Sequence, residues 1–242
     1  MGTKITPYKN KETSKKAQIA KMFDNIAGSY DFLNHFLSLG IDILWRKRAV
    51  IEIGKISPKT ILDIATGTGD LAIQASVLKP EKIIGVDISN GMLEVGRKKM
   101  RLKKLDSIIE MQYGDSEKLS FEDNSFDAVT AGFGVRNFEN LPKGLREMYR
   151  VMNKGGKLAI LEPSEPSVFP FKQIYNLYFK RILPFIGKLF SKDNAAYNYL
   201  PKSVAAFPSG EEFLEELEIA GFKNTRHIKL TFGVAALYTA TK

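Results

Sequence analysis

The strongest constraint on this chain is a change of period part-way along it. From Lys15 to about Val50 the apolar residues fall at helical spacing: Ile19, Met22, Phe23 and Ile26, then Leu33, Phe36 and Leu37. After Lys59 short apolar runs alternate with helical segments. Strands are expected at 60–65, 82–87, 108–115, 126–132 and 155–163, with helices at 70–78, 89–100 and 141–152; Ser89 is the natural N-cap of the second. Neighbouring parallel strands need a crossover, so this alternation predicts a parallel sheet covered by helices on both faces. Residues 164–207 interrupt it with an aromatic-rich insertion, and 210–222 reads as a helix again. The last two strands, 223–230 and 233–240, lie too close for a crossover and must pair antiparallel. The expected fold is α/β: a mostly parallel seven-stranded sheet with a C-terminal antiparallel hairpin.

With 242 residues and 44% hydrophobic content, one domain is expected. Residues 1–16 read as a mobile basic tail. Residues 17–242 form the domain, with 17–58 as an N-terminal helical lid and 164–207 as a cap. The absence of cysteine excludes disulfides and thiolate catalysis, and two distant histidines, His35 and His227, make a metal site unexpected. No run of about 18 apolar residues and no secretory signal is visible, so the expected compartment is the cytoplasm. The net charge of +9 is uneven: residues 1–21 hold six lysines and one glutamate. A second basic cluster, "RKKMRLKK" (97–104), sits at a helix end, where the dipole favours it. Nucleic acid is not the expected partner; an anionic membrane surface on the inner face is compatible with this charge.

"ILDIATGTGDLAIQ" (61–74) sets Gly67, Thr68 and Gly69 between a strand and a helix, where ligand and backbone can approach closely. Asp87 ends the next strand 20 residues after Gly67, placed to take two ribose hydroxyls. Gly67-x-Gly69-x-x-Ala72 also fits the dinucleotide fingerprint, and an ordinary glycine turn would look the same. The neighbours choose between them. Asp63 and Asp70 bracket the glycines, which is awkward for a pyrophosphate and favourable for a cation. Asp115 and Ser116 follow the third strand, where an adenine amino group could be read. S-adenosylmethionine has adenine, ribose, an ammonium and a sulfonium but no phosphate, and fits better than NAD.

"TAGFGVRNFEN" (130–140) raises a separate question, because it puts an arginine where a buried strand leaves the core. Gly132 and Gly134 would let the backbone pass close to the methionine part of such a cofactor. Arg136 is expected at the rim of the cleft with Asn137 beside it. A guanidinium repels a sulfonium, so it should face an anion on the substrate side. A structural arginine bonding strand-end carbonyls is the alternative.

These stretches together resemble the C-methyltransferases of ubiquinone and menaquinone biosynthesis. The markers are "MFDNIAGSYDFLNHFLSLGIDILWR" (22–46), "LDIATGTGD" (62–70), "GDSEKLSFEDNSFDAVTAGFGVRN" (114–137), "LREMYRVMNKGGKLAILEPS" (145–164) and "YNYLPKSVAAFPSGEEFLEELEIAGF" (197–222). The resemblance implies a Rossmann-like class I methyltransferase fold. It also implies methyl transfer to a ring carbon of a polyprenyl quinol, demethylmenaquinol before a methoxy-benzoquinol.

On this reading Gly67, Thr68, Gly69, Asp87, Asp115, Ser116 and Gly132 hold the cofactor. Arg136 stabilises the quinol oxyanion as the catalytic group, with Tyr30 as a candidate partner, and Asp31 and His35 as further candidates to take the proton. Asn34, Arg46 and Asn137 touch substrate, although Trp45 and Arg46 also read as a packing and capping pair. No metal is expected, and self-association into a homo-oligomer is left open. The insertion "FPFKQIYNLYFKRILPFIGKLF" (169–190) reads as a helical cap and as a greasy route for the tail at a membrane surface. Two departures from the family pattern, Tyr238 with Ala240 and the "LEPS" of 161–164, are expected to alter substrate fit. The competing readings are an NAD-dependent oxidoreductase and a basic binding module without catalysis.

Overall fold

The structure, a computed structural model, describes residues 5–8, 12–178 and 194–242. Seven strands form one sheet: β1 (Thr60–Ile64), β2 (Lys82–Asp87), β3 (Ile109–Tyr113), β4 (Phe126–Gly132), β5 (Met152–Pro163), β6 (Lys223–Leu230) and β7 (Ala235–Thr241). Their order is β3-β2-β1-β4-β5-β7-β6. The first five are parallel, while β7 pairs antiparallel with both β5 and β6. Period-two patterning explains how the sheet is covered. Leu62 and Ile64 face one core layer, with Leu145 and Met148 of α6 (Leu141–Val151) and Phe213 and Leu217 of α9 (Glu211–Ile219). Ile61 faces the other layer, with Ala49, Val50 and Ile53 of α3 (Ile41–Gly54), Leu71 and Ala75 of α4 (Asp70–Ala75) and Leu93 of α5 (Asn90–Leu102). Both faces of the central strand are therefore dry, as parallel pairing requires.

The long N-terminal helical pattern is broken into three pieces. α1 (Lys15–Ile26) ends in a 3-10 turn at 27–29, α2 (Tyr30–Leu37) follows, and a turn through Leu39 and Gly40, both at positive φ, leads to α3. α1 starts at the expected basic end: Ser14 caps it, and Ile5 and Tyr8 pack beside Ile19 and Met22. In the insertion, α7 (Phe171–Leu177) and α8 (Asn194–Ala206) are helical. Residues 179–193, including 179–190 of the expected tail route, lie outside the described residues. β5 begins at Met152, three residues earlier than the pattern suggests, because Met152 pairs with Phe126 across a register shift before Lys157 meets Ala128. β7 starts at Ala235, after a 3-10 turn over Thr231–Gly233.

Candidate active site

The loop after β1 makes a tight return into α4. Gly69 is in the left-handed region at φ 85°, a conformation that strains any residue with a Cβ, and it packs close to the Met100 side chain of α5. The Gly67 N–H donates to Asp87 Oδ2 at 2.8 Å, and the Ser89 N–H donates to Oδ1 at 2.8 Å. These bonds fix the carboxylate at the end of β2. Burial nevertheless pushes Asp87 up to about 6, with Asp24 adding like charge. Thr68 points elsewhere: its hydroxyl donates to Asp31 and its Oγ1 lies 3.2 Å from Lys99 Nζ.

A small cavity of about 60 Å³ sits over this loop, lined by Gly67, Asp87, Asp115, Ser116 and Gly132 among others. Five of the seven residues expected to hold a cofactor thus converge, while Thr68 and Gly69 support the loop from behind. The lining carries Asp87, Asp115, Glu117 and Glu139 against a single lysine, Lys16. Burial pushes Asp115 up, but the Lys16 ammonium at 2.6 Å and the Glu117 N–H outweigh it and hold the carboxyl below its usual range. Two non-glycine residues sit at positive φ beside this cavity: Ala65 (50°) after β1 and Phe133 (62°) after β4. Such backbone conformations gather at functional sites. Gly134 passes so close that its Cβ would stand 2.4 Å from that of Ala65.

The N-terminal helices close over the cavity. Asp24 Oδ1 accepts from Ser89 Oγ at 2.6 Å and from the Gly91 N–H at 2.8 Å, which ties α1 to the start of α5. Lys15 Nζ donates to the Phe138 carbonyl at 2.8 Å, on the opposite wall. Behind the loop, Lys99 Nζ bridges Asp31 and Asp70, each at 2.6 Å. His35 spans Asp42 at 2.8 Å and Asp70 at 3.4 Å, and Arg46 pairs with Asp42 and reaches Asp70 at 3.6 Å. Burial raises Asp42, but the Ser38 hydroxyl, Arg46 and His35 outweigh it and hold the carboxyl below its usual value. Asp31 and His35 therefore belong to a charge network that locks α2 and α3 onto the glycine loop.

A second cavity of about 410 Å³ opens beside the first and shares Phe23, Tyr30, Phe133 and Asn137 with it. Its walls are mostly apolar, with Leu33, Leu37, Leu39, Ile41, Trp45, Phe171, Ile174 and Leu200 among them. Tyr30, Asn34, Arg46, Arg136 and Asn137 all line it. Arg136 does not stand at an exposed rim. Its side chain is 8% exposed, pairs with Glu162 at 2.9 Å and bonds the Phe133 carbonyl. The structural role weighed from the sequence is thus present, and the sequence pattern alone missed Glu162. That carboxylate also accepts from the Val135 N–H at 2.6 Å and so shapes the whole turn. Burial pushes Glu162 up, against the pull of Arg136. Among the described residues, Arg136 Nε and Asn137 Oδ1 are buried with no partner. Burial raises the Tyr30 phenol, while Asn34 and the two guanidiniums pull it back.

Of the two departures from the family pattern, only Pro163 reaches this cavity. Tyr238 and Ala240 sit in the core beneath α9, where the Gly210 N–H donates to the Tyr238 hydroxyl at 3.0 Å. They fill the core and line neither cavity. Among the described residues no group of three or more potential ligands could hold a metal, and no helix is long and apolar enough to cross a membrane.

The strand order with its reversed hairpin, and a glycine loop facing an acidic residue at the end of β2, define the class I methyltransferase fold. A SAM-dependent methyltransferase structure from Thermotoga maritima shares that fold, with a TM-score of 0.60 at 20% identity over 92% of this chain and 99% of that one. The sequence takes the assignment further. The ubiE/COQ5 methyltransferase family matches residues 11–242, and the chain belongs to it. It is 51% identical to the demethylmenaquinone methyltransferase of Bacteroides fragilis over 99% of this chain and 98% of the relative. It is 46% identical to the ubiquinone/menaquinone biosynthesis C-methyltransferase UbiE of Geotalea daltonii, over 96% and 99%. The chain is a methyltransferase, and the oxidoreductase and non-catalytic readings fall away.

Proposed function

We propose that the chain transfers a methyl group from S-adenosylmethionine to a ring carbon of a polyprenyl quinol, demethylmenaquinol giving menaquinol. One observation carries this: an acidic, nucleoside-type pocket shares a wall with a large apolar cavity, and that wall includes Asn137, whose Oδ1 is unpaired and which follows Arg136 in the chain. The small pocket fits the cofactor by chemistry. Its carboxylates suit an ammonium, a sulfonium and ribose hydroxyls, and no arginine lines it for a pyrophosphate. Asp87 takes the ribose hydroxyls with the lone pairs left by its two N–H donors, Asp115 and Ser116 meet the adenine, and Gly67 and Gly132 admit the methionine part.

When bound, the cofactor supplies an electrophilic methyl on a positively charged sulfur. A phenol ionises near pH 10 in water, so the quinol needs help to become a carbon nucleophile at neutral pH. Arg136 lowers that cost by donating to the oxygen that loses its proton. The guanidinium keeps its own proton and acts by electrostatics alone. Asn137 accepts from the other ring hydroxyl, and Tyr30 and Asn34 hold the ring edge. Glu162 fixes Arg136 in place. The lid helices exclude water, which otherwise competes for the methyl and screens the charges.

The apolar tail leaves along the wall made by Leu39, Phe171 and Ile174. Leu39 and Ile174 are themselves 84% and 60% exposed, which suits a cavity mouth resting on a membrane surface. Flotation with vesicles reads this point: binding to neutral and anionic lipid alike at all salts implies apolar insertion without the electrostatic part. Feeding the protein demethylnaphthoquinol and demethyl-methoxybenzoquinol separately with S-adenosylmethionine tests the substrate. Turnover of the second alone moves the reaction to ubiquinone.

A further inference from the structure

The large cavity is lined by one more residue with an unpaired polar atom, on the helix that contributes Leu200 to its wall. Tyr199 belongs to α8, is 4% exposed, and lines the cavity. Its ring packs on Ile19 and Met22 of α1. Its hydroxyl is buried with no hydrogen-bond partner among the described residues. The other tyrosine hydroxyls around it differ: Tyr178 donates to the Leu37 carbonyl at 2.8 Å, and Tyr30 has Asn34. A buried hydroxyl left unpaired is uncommon and costly, and usually marks a place where a ligand or water belongs.

The place of Tyr199 in the fold says which part of a ligand it meets. α8 packs against the 3-10 turn at 135–137 that carries Arg136, so Tyr199 lines the cavity from the helix next to that turn. Burial pushes this phenol up to about 12, so it keeps its proton at any working pH and is a donor, never a base. Two unpaired groups then belong to residues that line the same cavity. One is Arg136 Nε, which can only donate. The other is Tyr199 Oη, which is free to donate because nothing else accepts from it.

We infer that Tyr199 is a second oxyanion donor, its hydroxyl bonding the same quinol oxygen that Arg136 stabilises as the ring carbon becomes nucleophilic. This rests on the quinol reading above. No bond to Tyr199 is made or broken. The substrate oxygen loses its proton to solvent or a neighbouring group; the ring carbon then takes the methyl as the S–CH3 bond breaks and a neutral thioether leaves; the ring C–H proton departs to solvent and the oxygen is reprotonated, with the Tyr199 phenol donating to that oxygen while it is anionic.

Tyr199→Phe tests it, because it removes one oxygen and keeps the ring that packs on α1. The turnover rate is expected to fall by roughly 10- to 100-fold, somewhat less than for a lone oxyanion donor because Arg136 remains. Cofactor affinity should hold, and the limb of the pH–rate profile on which rate rises with pH should shift to higher pH, since the substrate ionises less readily. The melting temperature without ligands should stay level or rise, because an unpaired buried hydroxyl has gone. A structural tyrosine gives the opposite pattern: a lower melting temperature with wild-type turnover and an unmoved profile, which overturns the inference. Wild-type protein run beside it on demethylnaphthoquinol and demethyl-methoxybenzoquinol keeps the two claims apart. An active wild type with an unaffected variant removes Tyr199 alone, whereas a wild type that binds S-adenosylmethionine yet methylates neither quinol removes the quinol reading and Tyr199 with it.

Discussion

At the scale of single residues, Asp87 and Arg136 make the sharpest statements. Burial lifts Asp87 to about 6. A carboxyl raised above its unfolded value of about 3.9 favours folding below that pH, and the favour is lost as pH rises through 6. Ribose hydroxyls donate to the ionised form, so cofactor affinity should be full above pH 6 and weaken by up to about tenfold per unit below it. Calorimetry at pH 7.5, 6 and 5 checks this, and Asp87→Asn should bind at least tenfold more weakly with the slope gone. An unchanged slope in the variant assigns the titration to Asp63, buried nearby and also raised to about 6.

Arg136→Ala should lower turnover by roughly 10²–10³ with cofactor affinity kept. It also leaves Glu162 buried and alone, which costs on the order of 3–5 kcal/mol. Arg136→Ala with Glu162→Gln should regain most of the melting temperature but none of the rate; regained turnover would make the arginine purely structural. The glycine loop and Asp87 were legible in the sequence because their chemistry is local and their spacing is fixed by one strand, one turn and one helix. Glu162 and Tyr199 were not, since Glu162 meets Arg136, and Tyr199 joins the same cavity, only after β5 and α8 fold against the turn at 135–137. Thr68 reads as a ligand by its place in the loop, yet its hydroxyl serves Asp31.

At the scale of elements, the lid is the part the pattern under-described. Apolar periodicity gave helix from Lys15 to about Val50 but not the two breaks, because a 3-10 turn at 27–29 keeps nearly helical geometry and leaves the spacing intact. Those breaks let α1 lie across the small cavity while α2 and α3 wall the large one. Lys16, Ile19 and Phe23 of α1 line the small cavity, so a cofactor that enters it passes this helix, and movement of α1 would set its rates of entry and release. Asp24 is the latch, with its bonds to Ser89 and Gly91. Asp24→Ala should speed cofactor dissociation by about tenfold, measured by stopped flow, with little change in the methyl-transfer step itself. Unchanged on- and off-rates would place the moving part elsewhere. α8 was missed altogether: its pattern is aromatic and carries Pro201 inside the helix, a residue that argues against helix on local grounds.

At the scale of the whole molecule, the strand order follows from connectivity, and so the sequence revealed it. Alternating elements force parallel crossovers, and a short gap before the last strand forces the reversed hairpin. What connectivity does not reveal is that the two cavities share a wall, because that depends on where the lid and the insertion come to rest on the sheet. Shared walls are what the proposed chemistry needs, with the sulfonium on one side and the ring on the other. The most direct measurement uses S-adenosylmethionine carrying a fully deuterated methyl group, with reduced demethylnaphthoquinone as acceptor, and locates the label by mass spectrometry and NMR. We predict that the intact deuterated methyl replaces the ring hydrogen on carbon, with both ring hydroxyls unmodified. Label on oxygen, or no transfer by protein that demonstrably binds both partners, would contradict it.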